Sequence, residues 1–379
     1  MSVFLDLREM PKTPDSKTPD SESLKSPTKT NRIFIGTDLK LGHGSFKTVY
    51  SCKITDANKS LFDLPEGTDE NNLCIAIIDI NMVIREKYGN DKTFNKTLFN
   101  EYIVQRAEQK LYNENRGYFE SVINTEILSI KQEIELQKEL FQKQLAPQIY
   151  HHYIDRKSNT YYILEEKCGL SLVEYIDTNA VKVKNRDTTV FNKIVDLTHR
   201  IANAGYINTD LKPENTCTQI GPDGSLANII ALDFDPQFFI KINLSTPGLV
   251  ENSQIFMLTL VIAYLCRWFK IKFTKDVIEK ELTREKIYNM ITFFVHNKDI
   301  CRIEHHPLFM LYHYIIGMPN VLLTRCIENQ TLGDISYITD EICKYVFFDV
   351  KRGGRRRKAI KSKRIKGSKR TKGSKRSKK

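Results

Sequence analysis

Two periods, about 2 and about 3.6 residues, divide the apolar positions of this chain into segments. Between residues 33 and 54, apolar and polar residues alternate on both sides of a Gly-containing turn, the pattern of a hairpin. Residues 73–79 and 161–166 are short apolar runs of strand length. Between them, Ile127, Ile130, Ile134, Leu136 and Leu140 recur at helical spacing over residues 125–145, and Pro147 stops the pattern. Residues 55–72 are polar and read as a loop. Residues 84–120 show weak helical periodicity and read as an inserted helical segment. Further on, residues 167–169 read as a connector and 170–176 begin a helix. Residues 190–204 form a second helix, with Val190, Ile194, Val195, Leu197 and Ile201 inward. The longest apolar run, 255–266, is short for a bilayer span and fits a buried helix. Residues 275–346 read as further helices. The order is α+β: a strand-rich first part, then a mainly helical one.

The polar residues between the second helix and the long apolar run carry the candidate chemistry. YINTDLKPEN, residues 206–215, places a carboxylate (Asp210), a cation (Lys212) and a carboxamide (Asn215) within six residues, and Pro213 prevents a helix there. The apolar run 229–232 then ends in Asp233-Phe234-Asp235. An Asp that orients a hydroxyl, a nearby Lys, and an Asn and an Asp for a metal ion are the parts that phosphoryl transfer needs.

DLKPEN resembles the catalytic loop of eukaryotic-type serine/threonine protein kinases, and LDFD resembles their metal-binding element, with Asp235 in place of Gly. GHGSFKTVY, residues 42–50, resembles their Gly-rich loop. The resemblance implies a bilobal fold, with an N-lobe over residues 32–167 and a C-lobe over 168–350. It also implies ATP and Mg as cofactors and a protein substrate. It places Gly42, Gly44, Ser45, Phe46, Lys47 and Val49 against the nucleotide, and Leu164 behind the adenine. Glu165 to Lys167 would offer backbone groups to that ring. Asp210 and Lys212 are then catalytic, and Asn215 and Asp233 hold the metal. The lysine usual on the strand after this hairpin is absent from residues 73–79, and Ile78 stands there. Lys47 occupies the loop position that supplies this lysine in WNK kinases. Glu133 is the expected partner of Lys47, with Glu135 as the runner-up.

Other departures bear on function. Asn208-Thr209 replaces the usual His-Arg, so activation by a phosphate on the following segment is not expected. Asp235 either adds a carboxylate near the metal or caps a turn. The segment after Asp233 is short and lacks A-P-E, which weakens the case for a protein acceptor. The style of divergence resembles kinases of large DNA viruses, such as iridoviruses and mimiviruses. Two alternatives stand beside a kinase. One is a pseudokinase scaffold. The other is a small-molecule phosphotransferase of the aminoglycoside or choline kinase type.

Composition adds less. The net charge of +12 misleads, because residues 351–379 hold 17 Lys and Arg and no acid, leaving the first 350 residues at −5. This tail repeats KGSKR and is expected to stay unfolded. It suits nucleic acid or another acidic partner, or nuclear import. The leader 1–31, with Thr13, Thr18 and Ser26 each before Pro, is expected to be disordered. Eight cysteines without a C-x-x-C pair read as reduced thiols, with neither zinc nor a disulfide framework expected. No signal peptide or membrane partner is expected. The location expected is therefore intracellular, in host cytoplasm or nucleus, or in a virion.

Overall fold

The computed structural model describes residues 3–6, 32–35, 40–43, 47–52, 54, 64, 65, 68, 72–107, 115–179, 188–300, 306–317, 324, 325, 327 and 331–347. The fold is mixed α+β. Met1–Phe348 form one compact unit, which holds every element named below. The basic tail lies outside the described residues.

A five-stranded antiparallel sheet has the order β3-β4-β5-β7-β6. Its strands are β3 (Lys40–His43), β4 (Lys47–Ser51), β5 (Leu73–Asp79), β6 (Ile149–Asp155) and β7 (Thr160–Glu166). Alternation gives the sheet two different faces. Val49, Ala76, Ile78, Tyr161 and Ile163 pack against helices α1 (Ile80–Lys87), α2 (Lys96–Ala107) and α3 (Arg116–Gln142). Leu73, Ile75 and Leu164 join Cys52 and Ile54 in a separate cluster. Two further strands, β1 (Val3–Asp6) and β2 (Arg32–Ile35), pair antiparallel. The leader expected to be disordered therefore contributes a strand, because Val3-Phe4-Leu5 is a local apolar run within a polar stretch. Residues 7–31 lie outside the described set.

Helix α3 is longer than its apolar stripe predicts, beginning at Arg116 rather than near 125. Its extra turns bury Phe119, Val122 and Ile123 against α2. Glu126 is 3% exposed and is held by Lys87 (3.0 Å) and Tyr88 (2.9 Å), so it braces α1 against α3.

The remaining elements surround α6 (Leu249–Tyr264), which is apolar on all sides and therefore central. They include α4 (Leu172–Thr178), α5 (Thr188–Asn203), α7 (Arg284–His296), α8 (Pro307–Leu311) and α9 (Leu332–Val346). Wider π-helical turns, closed by i→i+5 bonds, extend α6 over Leu265–Phe269 and α8 over Tyr312–Ile316. With its extension, α6 is longer than the apolar run suggested: Leu249–Phe269, 21 residues, is long and apolar enough to cross a membrane. In this fold 72% of its most apolar window is buried within the protein.

Short strands β8 (Tyr206–Asn208) and β11 (Phe239–Lys241) pair antiparallel, as do β9 (Thr216–Ile220) and β10 (Leu226–Ala231). The expectation of reduced thiols fails at one pair, because Cys168 and Cys217 form a disulfide. The two cysteines are far apart in sequence, and tertiary packing brings them together. Ser171 bridges to Cys217, and a Cβ on Gly169 would stand 2.2 Å from the Thr218 carbonyl oxygen. Only glycine allows the connector to lie that close to β9.

Arg200 on α5 locks three elements together. Its guanidinium donates to the carbonyls of Gln144 (2.8 Å) and Ile229 (2.9 Å) and to Asn228 Oδ1 (2.7 Å). Replacing it by methionine removes this donor from three acceptors, two of which, at Asn228 and Ile229, are partly buried. We expect Arg200→Met to lower stability by about 1–3 kcal/mol, read as the urea midpoint at unchanged m-value. An unchanged midpoint would show that water replaces the guanidinium without loss.

Candidate functional site

The loop between β8 and β9 is built around the Asp210 carboxylate, which is 7% exposed. Residues Pro213–Asn215 make a single 3-10 turn with Pro213 in its first positions, which swings Asn215 back towards Asp210. Asn215 Nδ2 donates to Asp210 Oδ2 at 2.9 Å, and Lys212 Nζ contacts both carboxylate oxygens, at 3.2 and 3.0 Å. The Asp210 amide is fixed by Asn208 Oδ1 at 2.9 Å. Thr209, fully buried, donates its amide and hydroxyl to the Phe238 carbonyl at 2.8 and 3.3 Å. A small neutral residue there joins the loop to the chain after Asp235, where an arginine would have carried charge.

Asp233 follows β10 and is brought to the same place by two bonds to Asn215. The Leu232 amide donates to the Asn215 carbonyl at 2.8 Å, and Asn215 Nδ2 lies 3.3 Å from Asp233 Oδ2. The backbone at Asp233 has φ +28°, a region that L-residues rarely occupy and that clusters at functional sites. Asp235 caps the next turn, its Oδ1 accepting from the Gln237 amide at 2.9 Å. Its charge also acts on Asp233 and Glu133. Of the two roles left open by the sequence, the turn cap is the one observed.

Lys47 reaches this site from the sheet. In the β4–β5 ladder it stands directly across from Ile78, so both side chains leave the same face. Its ion pair among the described residues is with Glu165 Oε1 at 3.7 Å. Glu165 is held in turn by Gln137 Nε2 of α3 at 3.1 Å. This corrects the expected Lys47–Glu133 pair. Glu133 acts on Lys47 electrostatically, and Glu165 is the direct partner. Burial works to lower the Lys47 pKa, but Glu165, Glu133 and Asp233 outweigh it and hold the ammonium above its usual range. Glu135, the runner-up, faces solvent and pairs with Lys138 at 2.8 Å.

The reading of the 164–167 segment also changes. Leu164 belongs to the opposite face of the sheet, paired with Ile75 in the outer cluster, so it does not line the Lys47 side. Alternation along β7 gives that position to Glu165. The Glu166 amide donates to the Gln148 carbonyl and the Lys167 amide to the Asn72 carbonyl, both at 2.8 Å. Neither amide is therefore free for a purine. Gly42 lies in β3 opposite Val49, and Val49 packs beside Ile78. Gly44, Ser45 and Phe46 lie outside the described residues.

Sequence reasoning missed one member of the site, Tyr314. Its hydroxyl donates to Asp210 Oδ1, and Lys212 Nζ sits 5.4 Å from its ring centre. Burial, and then the Asp210 carboxylate, raise its pKa well above the usual tyrosine range. Nothing in the sequence marks it, since it is one of 17 tyrosines and stands far from DLKPEN.

The charge balance bears on which ligand fits. Desolvation and the like charge of Asp210 hold the Asp233 carboxyl above its ordinary range, against the pull of Lys47. Burial, with Asp233 and Asp235 adding to it, pushes Glu133 up to about 7 despite Lys47. In both carboxyls burial is the larger cause and the neighbouring carboxylates add to it. Asn215 presents its Nδ2 to both Asp210 and Asp233, and among the described residues no group of three or more His, Cys, Asp or Glu is placed to hold a metal ion.

Because the Glu133 pKa is raised in the fold, Glu133 favours the folded state most below its ordinary value of 4.5. That contribution is lost as pH rises towards about 7. Glu133→Gln should therefore raise the melting temperature at pH 8, by roughly 2–4 °C per kcal/mol relieved. It should also flatten the fall in stability between pH 4.5 and 7. Equal melting curves at pH 8 would show that Glu133 is already relieved by solvent.

No family model matches the chain, and no curated protein matches it significantly.

Proposed function

We propose that this chain is an ATP- and Mg-dependent protein kinase of divergent, two-lobed type that transfers phosphate to serine or threonine. The carrying observation is the convergence of Asp210, Lys212, Asn215 and Asp233 on one point, with the Lys47 ammonium acting on Asp233 from the sheet. In this reading the acceptor oxygen attacks the γ-phosphorus, the bond to the β,γ-bridging oxygen breaks, and Asp210 takes the hydroxyl proton. Lys212 neutralises charge gathering on the transferred group, and Lys47 holds the nucleotide phosphates in place of the lysine absent at Ile78. Asn215 and Asp233 would hold a divalent cation, which supplies charge neutralisation on the phosphate oxygens.

One observation favours a second reading, a scaffold without turnover. Both Asp210 oxygens already have protein donors, leaving an acceptor hydroxyl to displace one. The tail of residues 351–379 would then be the working part, as a tether to nucleic acid or an acidic partner.

Labelled ATP, magnesium and a basic protein acceptor separate the two. Wild type should label the acceptor, and Asp210→Asn and Asp233→Ala should each lose about 100-fold or more. Lys47→Met should fall comparably if this lysine holds the phosphates. Activity that survives Lys47→Met would assign that task to another cation. Wild type without transfer or magnesium-dependent ATP binding would select the scaffold.

A further inference from the structure

We propose that the Tyr314 hydroxyl occupies the acceptor-hydroxyl position at Asp210, so that an incoming acceptor must displace it and Tyr314 sets acceptor selectivity. The inference rests on the kinase reading above.

The argument starts from donors and acceptors. A general base is recognised by the hydroxyl whose proton it is placed to receive. In this structure that hydroxyl belongs to Tyr314, which donates to Asp210 Oδ1. The other oxygen, Oδ2, is taken by Asn215 and Lys212. An acceptor alcohol therefore meets a carboxylate whose remaining oxygen is already engaged. The phenol is also held firmly. Its ring packs edge-on against Tyr264 at 5.8 Å and lies beneath Lys212, and its carbonyl accepts from Trp268 Nε1 at 3.1 Å. Tyr264 is tied to the catalytic loop through Glu214 Oε1 at 3.3 Å. The π-helical turn Tyr312–Ile316 ends at Gly317, whose φ of +67° closes it. Such turns interrupt regular helices most often at functional sites.

The test is Tyr314→Phe in the full chain, which keeps the ring and removes the competing hydroxyl. Steady-state kinetics are measured with a basic protein acceptor and ATP, with the melting temperature as a check on folding. The expected result is a rise of about tenfold in kcat/KM for the acceptor, carried by a lower acceptor KM, with the KM for ATP unchanged. Tenfold corresponds to about 1.4 kcal/mol of lost competition. An unchanged or lower acceptor kcat/KM in a folded variant, with wild type active, overturns this inference and leaves the kinase reading standing. A lower value would mean that Tyr314 positions Asp210 for the reaction. If neither form transfers phosphate to any acceptor, the kinase reading falls and this inference falls with it.

Discussion

A carboxylate that is 7% exposed must find donors within the protein, and Asp210 finds them from three directions. Lys212 and Asn215 come from its own loop, and Tyr314 from the helical turn after α8. Each donor fixes something else. Asn215 also reaches Asp233, while its carbonyl takes the Leu232 amide, so the end of β10 cannot drift from the loop. Asn208, through its side chain, orients the Asp210 amide, and its own amide rests 3.3 Å from the Met257 sulfur on central helix α6. Satisfying one buried anion thus fixes β8, β9, β10 and α6 around it.

The sheet brings opposite charge to this site by register. Because β4 and β5 pair Lys47 with Ile78, a lysine on the earlier strand emerges on the face where one on the later strand would have emerged. The two positions are not equivalent. Ile78 is 4% exposed among apolar neighbours, whereas the Lys47 side chain is 30% exposed. The desolvation of an ammonium at position 47 is offset by Glu165, Glu133 and Asp233.

What the sequence made legible was local. DLKPEN and LDFD identify the residues of the loop, and the patterns at 73–79, 161–166 and 190–204 fall within a turn of the elements found, whereas α3 and α6 begin more than a turn earlier than their apolar runs. The register argument for Lys47 also follows from alternation alone. The same rule, applied to YYILEE, would have assigned the inward position to Glu165 and the outward one to Leu164, since residues 161, 163 and 165 share a face. The Cys168–Cys217 disulfide and the Tyr314 contact were not legible. Both join segments far apart in the chain, and neither carries a periodic or motif signal. Strand β1 was hidden for another reason, because three apolar residues in a polar leader weigh little in composition.

The choice of Glu165 over Glu133 as the partner of Lys47 follows from the same geometry. Glu165 sits on β7, one strand beyond β5, and is held by Gln137 from α3. Its position is therefore set by the rigid sheet and by a neutral donor on the helix. Glu133 sits on α3 itself, where burial, with Asp233, Asp235 and Glu165 adding to it, pushes its pKa to about 7 despite Lys47. Helix α3 thus carries both the neutral donor that holds Glu165 and a carboxyl whose burial opposes its ionisation.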